Sequence, residues 1–288
     1  MKNIQAATVA VCLAFSPLPT LAYDNFPGDS VWAGDGTHAS LIYFAHQNSK
    51  QLRVQGHGKM KDSRLTVNSL ILRDVHYTEI AGEKFLYQAF LPIGDISTAR
   101  SSGHDQDTRS GVGDLTFEVA WFPFTSTSPT GTSMALGLYL GTPTGNYDVD
   151  EPSIGSGTWS VTTEAGIVQG LGAGFFLDST VSSTFSKTRR HEGIEVRSNT
   201  AYQGQFYLRH QFSPTAYWGA GVSTLQGGKG YLDGNYTGIK TRSDQFRLFA
   251  NKLFYEHFMA GLMVGRDFHA DGGYRKDSQV TLRFARFW

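Results

Sequence analysis

Twelve amphipathic strands closed into a membrane-spanning antiparallel β-barrel are the fold this all-β sequence predicts, and three observations predict it. Strand-length segments alternate apolar and polar residues with a period of two, so one side of each faces an apolar phase and the other a wet interior. The connections between them alternate short and long. The chain also ends on such a strand: in residues 279–288, Val280, Leu282, Phe284 and Trp288 share one face, and Gln279, Thr281, Arg283 and Ala285 take the other. Arg286 departs from the apolar face. At the rim it reaches the polar interface, whereas at mid-wall it would cost roughly 2–4 kcal/mol.

The chain opens with Met1-Lys2-Asn3, an apolar run over residues 4–15, then Pro17, Pro19 and Thr20-Leu21-Ala22, the pattern of a secretory signal peptide over residues 1–22. That run is too short for a spanning helix, and no later stretch approaches the roughly 20 apolar residues that one needs. The single cysteine, Cys12, lies in this leader behind Val11, which argues against acylation. The mature chain then has no thiol, which excludes disulfides, thiol catalysis and thiolate metal sites. Formal charge balances at 25 basic and 25 acidic residues, so no overall field favours nucleic acid. Mean hydropathy of −0.26 suits a barrel with a polar lumen and loops. Thirty-three glycines with 20 Phe, 13 Tyr and 5 Trp suit strands, tight turns and interfacial rings.

Residues 23–36 are rich in Gly, Pro and Asp and do not read as a strand. They form either a periplasmic leader or a plug in the barrel mouth anchored by Phe26 and Trp32. The barrel occupies residues 37–288. Its strands are expected at 37–48, 65–80, 84–93, 113–124, 132–142, 159–167, 174–186, 197–212, 216–226, 241–252, 255–268 and 276–288. Short turns, as at Ala81-Gly82 and Leu171-Gly172-Ala173, alternate with long loops such as 49–64, 94–112, 143–157 and 187–196. An even strand count with this alternation wires both termini to the periplasmic side of a bacterial outer membrane; a soluble sandwich has no reason to alternate so. Aromatics gather toward the short-turn end (Trp121, Phe122, Phe124, Phe175, Phe176, Phe212, Tyr217, Trp218, Phe254, Tyr255, Phe287 and Trp288), where an interfacial girdle is expected. The long loops collect cations, among them Lys187, Arg189, Arg190, Lys229 and Lys240, which either meet lipopolysaccharide phosphates or are simply solvated.

Sites for chemistry are sparse. The nine histidines are scattered with no ligand spacing, and His38 and His46, on one strand face, stand roughly 27 Å apart. No metal site and no cofactor are expected. Asp148, Asp150 and Glu151 read as a solvated acidic loop tip before a cation site, and Gly170 to Gly174 as a tight turn. The inward-facing set is more informative: Asp114, Glu118, Glu164, Asp178, Arg209, Arg247 and Arg283 mix both signs with Tyr139, Phe176, Tyr207 and Phe249. It describes either an interior closed by ion pairs or a narrow pathway whose aromatic surfaces handle a partly apolar solute.

Gly111-Val112-Gly113-Asp114-Leu115, Gly141-Thr142-Pro143-Thr144-Gly145-Asn146-Tyr147-Asp148 and Gly155-Ser156-Gly157-Thr158-Trp159 together resemble the motifs of the outer-membrane channel family named for a meta-pathway of phenol degradation. The resemblance implies a monomeric barrel of 12 strands, an N-terminal segment able to enter the lumen, and uptake of hydrophobic compounds such as aromatics; passive passage of small hydrophobic or aromatic molecules without catalysis is the first reading. A lateral opening is one route proposed for such families. Pro143, Thr144, Gly145 and Tyr147 mark where the wall is weakest, because proline cannot donate to the ladder. The terminal Trp288 resembles the signal read by the barrel-assembly machinery. A barrel enzyme acting on lipid or protein, and a closed structural barrel, are the alternatives.

Overall fold

The structure, a computed structural model, describes residues 24–148, 151–191, 193–240 and 242–288; the expected leader lies outside them. Twelve strands form the wall: β1 (His38–Val54), β2 (Arg64–Ile80), β3 (Glu83–Ser101), β4 (Thr116–Phe124), β5 (Thr132–Gly141), β6 (Ser160–Gly172), β7 (Phe175–Ser186), β8 (Ala201–Ser213), β9 (Ala216–Gly227), β10 (Ser243–Phe254), β11 (Phe258–Ala270) and β12 (Gly273–Phe287). Each pairs antiparallel with its sequence neighbours, and β12 returns to β1, with Ala39 opposite Phe287 and His46 opposite Val280. Closure gives every wall strand a partner on both sides, as the apolar phase requires.

The period of two sorts the side chains. Phe44, Phe117, Val119, Leu138, Leu177, Phe206, Leu248 and Phe284 are exposed on the outer wall. Tyr43, Glu118, Tyr139, Asp178, Arg209, Arg247 and Arg283, one step away in each strand, are buried in the lumen. The same alternation corrects the expected girdle, because adjacent residues within one strand cannot both face lipid. Trp121, Phe124, Phe175, Phe212, Trp218, Phe254, Tyr255 and Trp288 are exposed, whereas Phe122 is 2% exposed and Tyr217 packs against the interior cluster. Arg286 lies at the level of Ser40, near the end of β1, with its guanidinium 3.7 Å from the centre of the Trp288 ring.

The turns explain the short end. Ala81 and Gly82 (φ 53° and 83°) join β2 to β3, and Ala173 and Gly174 (φ 49° and 78°) join β6 to β7. Positive φ at both central residues matches the twist of the flanking strands. At the other end, strands run further than the alternation indicated. Residues 94–101 continue β3 because the start of β2 pairs with them, Leu65 opposite Ala99 and Val67 opposite Ile96. Residues 113–115 lie outside β4, and Ile194–Ser198 leaves the wall to join Arg189–His191, Gly230–Leu232 and Asn235–Tyr236 in a four-stranded sheet built from the long loops.

Candidate functional site: a plugged lumen and the adjoining wall

Residues 24–32 enter the lumen, and 33–36 lie at its short-turn rim, where Glu79 N–H donates to Asp35 at 2.8 Å. Phe26-Pro27-Gly28-Asp29 is a tight turn, with Asp29 N–H donating to Phe26 O at 3.0 Å and Gly28 at φ 92°. Proline then glycine at the central positions is what a type II turn selects. The turn aims Asp29 between two guanidinium groups, Arg283 at 2.7 Å and Arg73 at 3.0 Å. Arg247 holds Asp24 at 2.8 Å, Asn25 donates to Glu164 at 2.8 Å, and Gly28 N–H donates to Asp178, which also pairs with Arg209 at 2.9 Å. Phe26 packs under the Arg283 guanidinium and among Tyr43, Tyr207 and Phe249. Trp32 packs edge-on against Tyr77 and Phe122. Small wall residues make room: a Cβ on Gly166 would overlap the Ser30 hydroxyl, and one on Gly261 would stand 3.3 Å from Phe26.

Electrostatics seats this segment. Burial pushes the Asp24 and Asp29 carboxyls up, but Arg247 beside the first and Arg283 with Arg73 beside the second outweigh it and hold both below the ordinary carboxylate value. Of the residues that alternation placed in the lumen, Glu118, Tyr139, Glu164, Asp178, Phe176, Tyr207, Arg209, Arg247, Phe249 and Arg283 all line it, with the Arg209 guanidinium 4.4 Å from the Phe176 ring centre. Arg73, Gln88, Gln205 and the acids of the plug join them. Arg73 donates to Gln88 at 2.6 Å and to the Tyr43 hydroxyl at 2.8 Å, and Gln88 in turn bonds Glu118. Arg73 was missed in the sequence although it shares the inward face with Ile71 and Val75.

Asp114 is not in the barrel strand. It sits in the connection before β4, where it ties the wall to the loop after β5. Its carboxylate accepts from Gly145 N–H at 2.9 Å, Ser156 N–H at 2.6 Å and Ser156 Oγ at 2.5 Å. Thr144 Oγ1 accepts from Leu115 N–H at 3.0 Å, and Val112 O from Asn146 N–H at 2.7 Å. Pro143 is exposed, and Tyr147 carries the Arg189 guanidinium 3.6 Å from its ring centre. The two motif segments thus form one knot. It closes the wall where β3, with 19 residues, meets β4, with only 9. Behind it lies a cavity of about 70 Å³ lined by Pro92, Asp114, Tyr139, Ile154 and Glu164. A second, of about 120 Å³, lies under the extracellular sheet and shares Ser156, Ser182, Thr184 and Gln203 with the first.

The acidic loop tip is ion-paired: Arg109 bonds Asp148 at 2.8 Å and reaches Glu151 at 3.4 Å, while Asp150 lies outside the described residues. Against the sequence reading, two histidines do meet. His38 and His76 stand opposite each other on β1 and β2, and both bond the Asp74 carboxylate, at 2.9 and 2.8 Å, which places three potential ligand groups within 4.8 Å. Spacing along the chain cannot reveal a group that register assembles.

A closed barrel with an apolar outer belt and an ion-paired plug belongs to the class of outer-membrane channels. Residues 42–284 match the family described as "Putative MetA-pathway of phenol degradation", and the chain belongs to that family. It is similar to the COG4313 outer membrane channel from Pseudomonas putida F1, at 25% identity and a TM-score of 0.84 over 92% of this chain and 100% of that one. The β domain of the Bordetella autotransporter BrkA shares the fold at 12% identity and a TM-score of 0.52, over 88% of this chain and 100% of that one. The transport unit of the autotransporter AIDA-I from Escherichia coli does so at 8% and 0.50, over 98% and 97%. A comparison with curated protein sequences finds no match.

Proposed function

We propose that this protein sits in the bacterial outer membrane as a monomeric channel for passive uptake of small hydrophobic or aromatic compounds, a conduit rather than a catalyst. The observation that carries the reading is the pair of adjoining cavities, sharing Ser156, Ser182, Thr184 and Gln203, that lie under the sheet of the long loops and behind the wall knot around Asp114 and Gly145, above a lumen that residues 24–32 obstruct. A solute entering from outside meets aromatic and small polar walls, reaches the plug, and leaves sideways into the apolar phase at the knot. For a partly apolar molecule, transfer from water into the bilayer is downhill, so no energy source or cofactor is needed. Trp288 serves the assembly machinery, and lipid with lipopolysaccharide surrounds the barrel.

The test is flux. Liposomes with a lipopolysaccharide outer leaflet that hold the purified full-length mature protein should take up toluene about tenfold faster than the same liposomes without it, the scale on which removing a membrane-crossing barrier of about 1.4 kcal/mol registers. Uptake no faster than through the protein-free liposomes overturns the reading. Phospholipid or peptide hydrolysis by the same preparation would replace it with the enzyme alternative.

A further inference from the structure

The upper cavity has a charge asymmetry that an apolar solute alone does not use. Lys187, Arg189 and Arg197 line it beside Tyr231, Leu232 and Ile239, and among the described residues no carboxylate lines it. Two arginines at this end are paired: Arg100 bonds Asp62 and Asp105 at 2.9 and 2.7 Å, and Arg109 holds two acids. Arg189 is different. Among the described residues its Nε and Nη1 have no hydrogen-bond partner, and its guanidinium carbon lies 3.6 Å from the Tyr147 ring centre. Asp114, whose charge acts on Arg189, spends its oxygens on Gly145 and Ser156.

Arg189 lines the cavity, and a guanidinium is the side chain that best matches a planar oxyanion. Burial also pushes the Arg189 guanidinium below its ordinary value, with Tyr147 and Asp114 opposing, so an arriving anion is attracted to a poorly hydrated cation. Arg197 stacks 4.4 Å above the Tyr231 ring, which places a second cation against an aromatic wall. The inner side of the cavity is lined by Ser182, Thr184 and Gln203 of β7 and β8, so it opens to the lumen side of the wall, where a soluble molecule arrives more readily than a lipid headgroup.

We propose that this vestibule is a binding site for small aromatic carboxylates, with Arg189 taking the carboxylate and Tyr231, Leu232 and Ile239 receiving the ring; as a statement of which solutes the channel captures, it rests on the channel reading above. Isothermal titration of the full-length mature protein, purified free of lipopolysaccharide, compares sodium benzoate with its neutral counterpart benzyl alcohol and with sodium acetate. Benzoate should bind about tenfold more tightly than either, because only it offers both charge and ring. Arg189→Gln should weaken benzoate about tenfold and leave benzyl alcohol within about twofold, while Arg189→Lys, which keeps the charge but loses the fork, falls between. Equal affinity of the wild type for benzoate and benzyl alcohol overturns the proposal whether or not the variants assemble. So does an unchanged benzoate affinity in Arg189→Gln, or displacement of benzoate by lipid A with no binding selectivity of its own, which would make the site a lipid-phosphate contact. Toluene flux measured alongside separates the two readings: flux without benzoate selectivity sinks only the vestibule, and selectivity without flux sinks only the channel.

Discussion

Deleting residues 24–36 is expected to turn a closed barrel into a conducting one. Twelve strands enclose a passage that side chains and this segment fill, and removing the segment leaves a water-accessible lumen walled by Arg73, Arg209, Arg247 and Arg283. Single-channel conductance in planar bilayers should rise about tenfold or more, the difference between a filled and an aqueous interior. The ladder from β1 to β12 is untouched, so the barrel itself should still assemble. A single change, Asp29→Ala, tests the same seat more gently. It leaves Arg283, whose side chain is 1% exposed, and Arg73, at 8%, without their counter-ion. Breaking such a buried pair costs about 3–5 kcal/mol, enough to make the plug open in bursts. The pH dependence follows from the depressed carboxyls of Asp24 and Asp29. Their contribution is complete above the ordinary carboxylate value near pH 4 and is lost as pH falls through the lower values of the seated state, so acid should raise open probability and alkali should not. Conductance unchanged by the deletion would remove the plug from the account.

How much of this was legible beforehand depends on the kind of information each feature carries. The inward positions of Glu118, Arg209, Arg247 and Arg283 follow from alternation alone, because one residue's step in a strand decides which side it faces. The seat of the plug does not follow. Asp24 and Arg247 are 223 residues apart, and nothing local marks them as partners. Phe26 and Trp32 drew attention as anchors because they are aromatic, whereas the acids between and before them, Asp24 and Asp29, carry the ion pairs. The motif residues were visible as a resemblance but not as a knot, since Asp114 reads as a strand residue and is instead a loop tie. The His38 and His76 meeting and the extracellular sheet both arise from register between segments, which the spacing of residues within one segment cannot encode.

Gly145→Val should lower aromatic flux about tenfold while leaving the barrel assembled, and the reason lies in what surrounds that glycine. A Cβ there would run into the Gly113 carbonyl carbon and stand 2.7 Å from Asp114 N, both of them backbone atoms that cannot swing aside. The loop must lift instead, which breaks the Gly145 bond to Asp114 and strains the Asn146 bond to Val112. Overpacking of this kind costs about 1–3 kcal/mol, and each lost hydrogen bond about 1 more. Ile154 travels with the same segment: Gly155 N–H donates to Asn146 O at 3.0 Å, and Ile154 fills the space over Gly94 and Gly113. When the loop lifts, the cavity behind the knot loses its Ile154 wall, and a solute that has come down from the vestibule loses the surface that holds it beside the opening. The strand ladder on either side, Phe85 to Phe90 against Thr116 to Trp121, is untouched, so heat-modifiable migration of the barrel should persist. Toluene flux through liposomes that stays at the wild-type rate in this variant would show that solute does not leave by the wall at Pro143 to Tyr147.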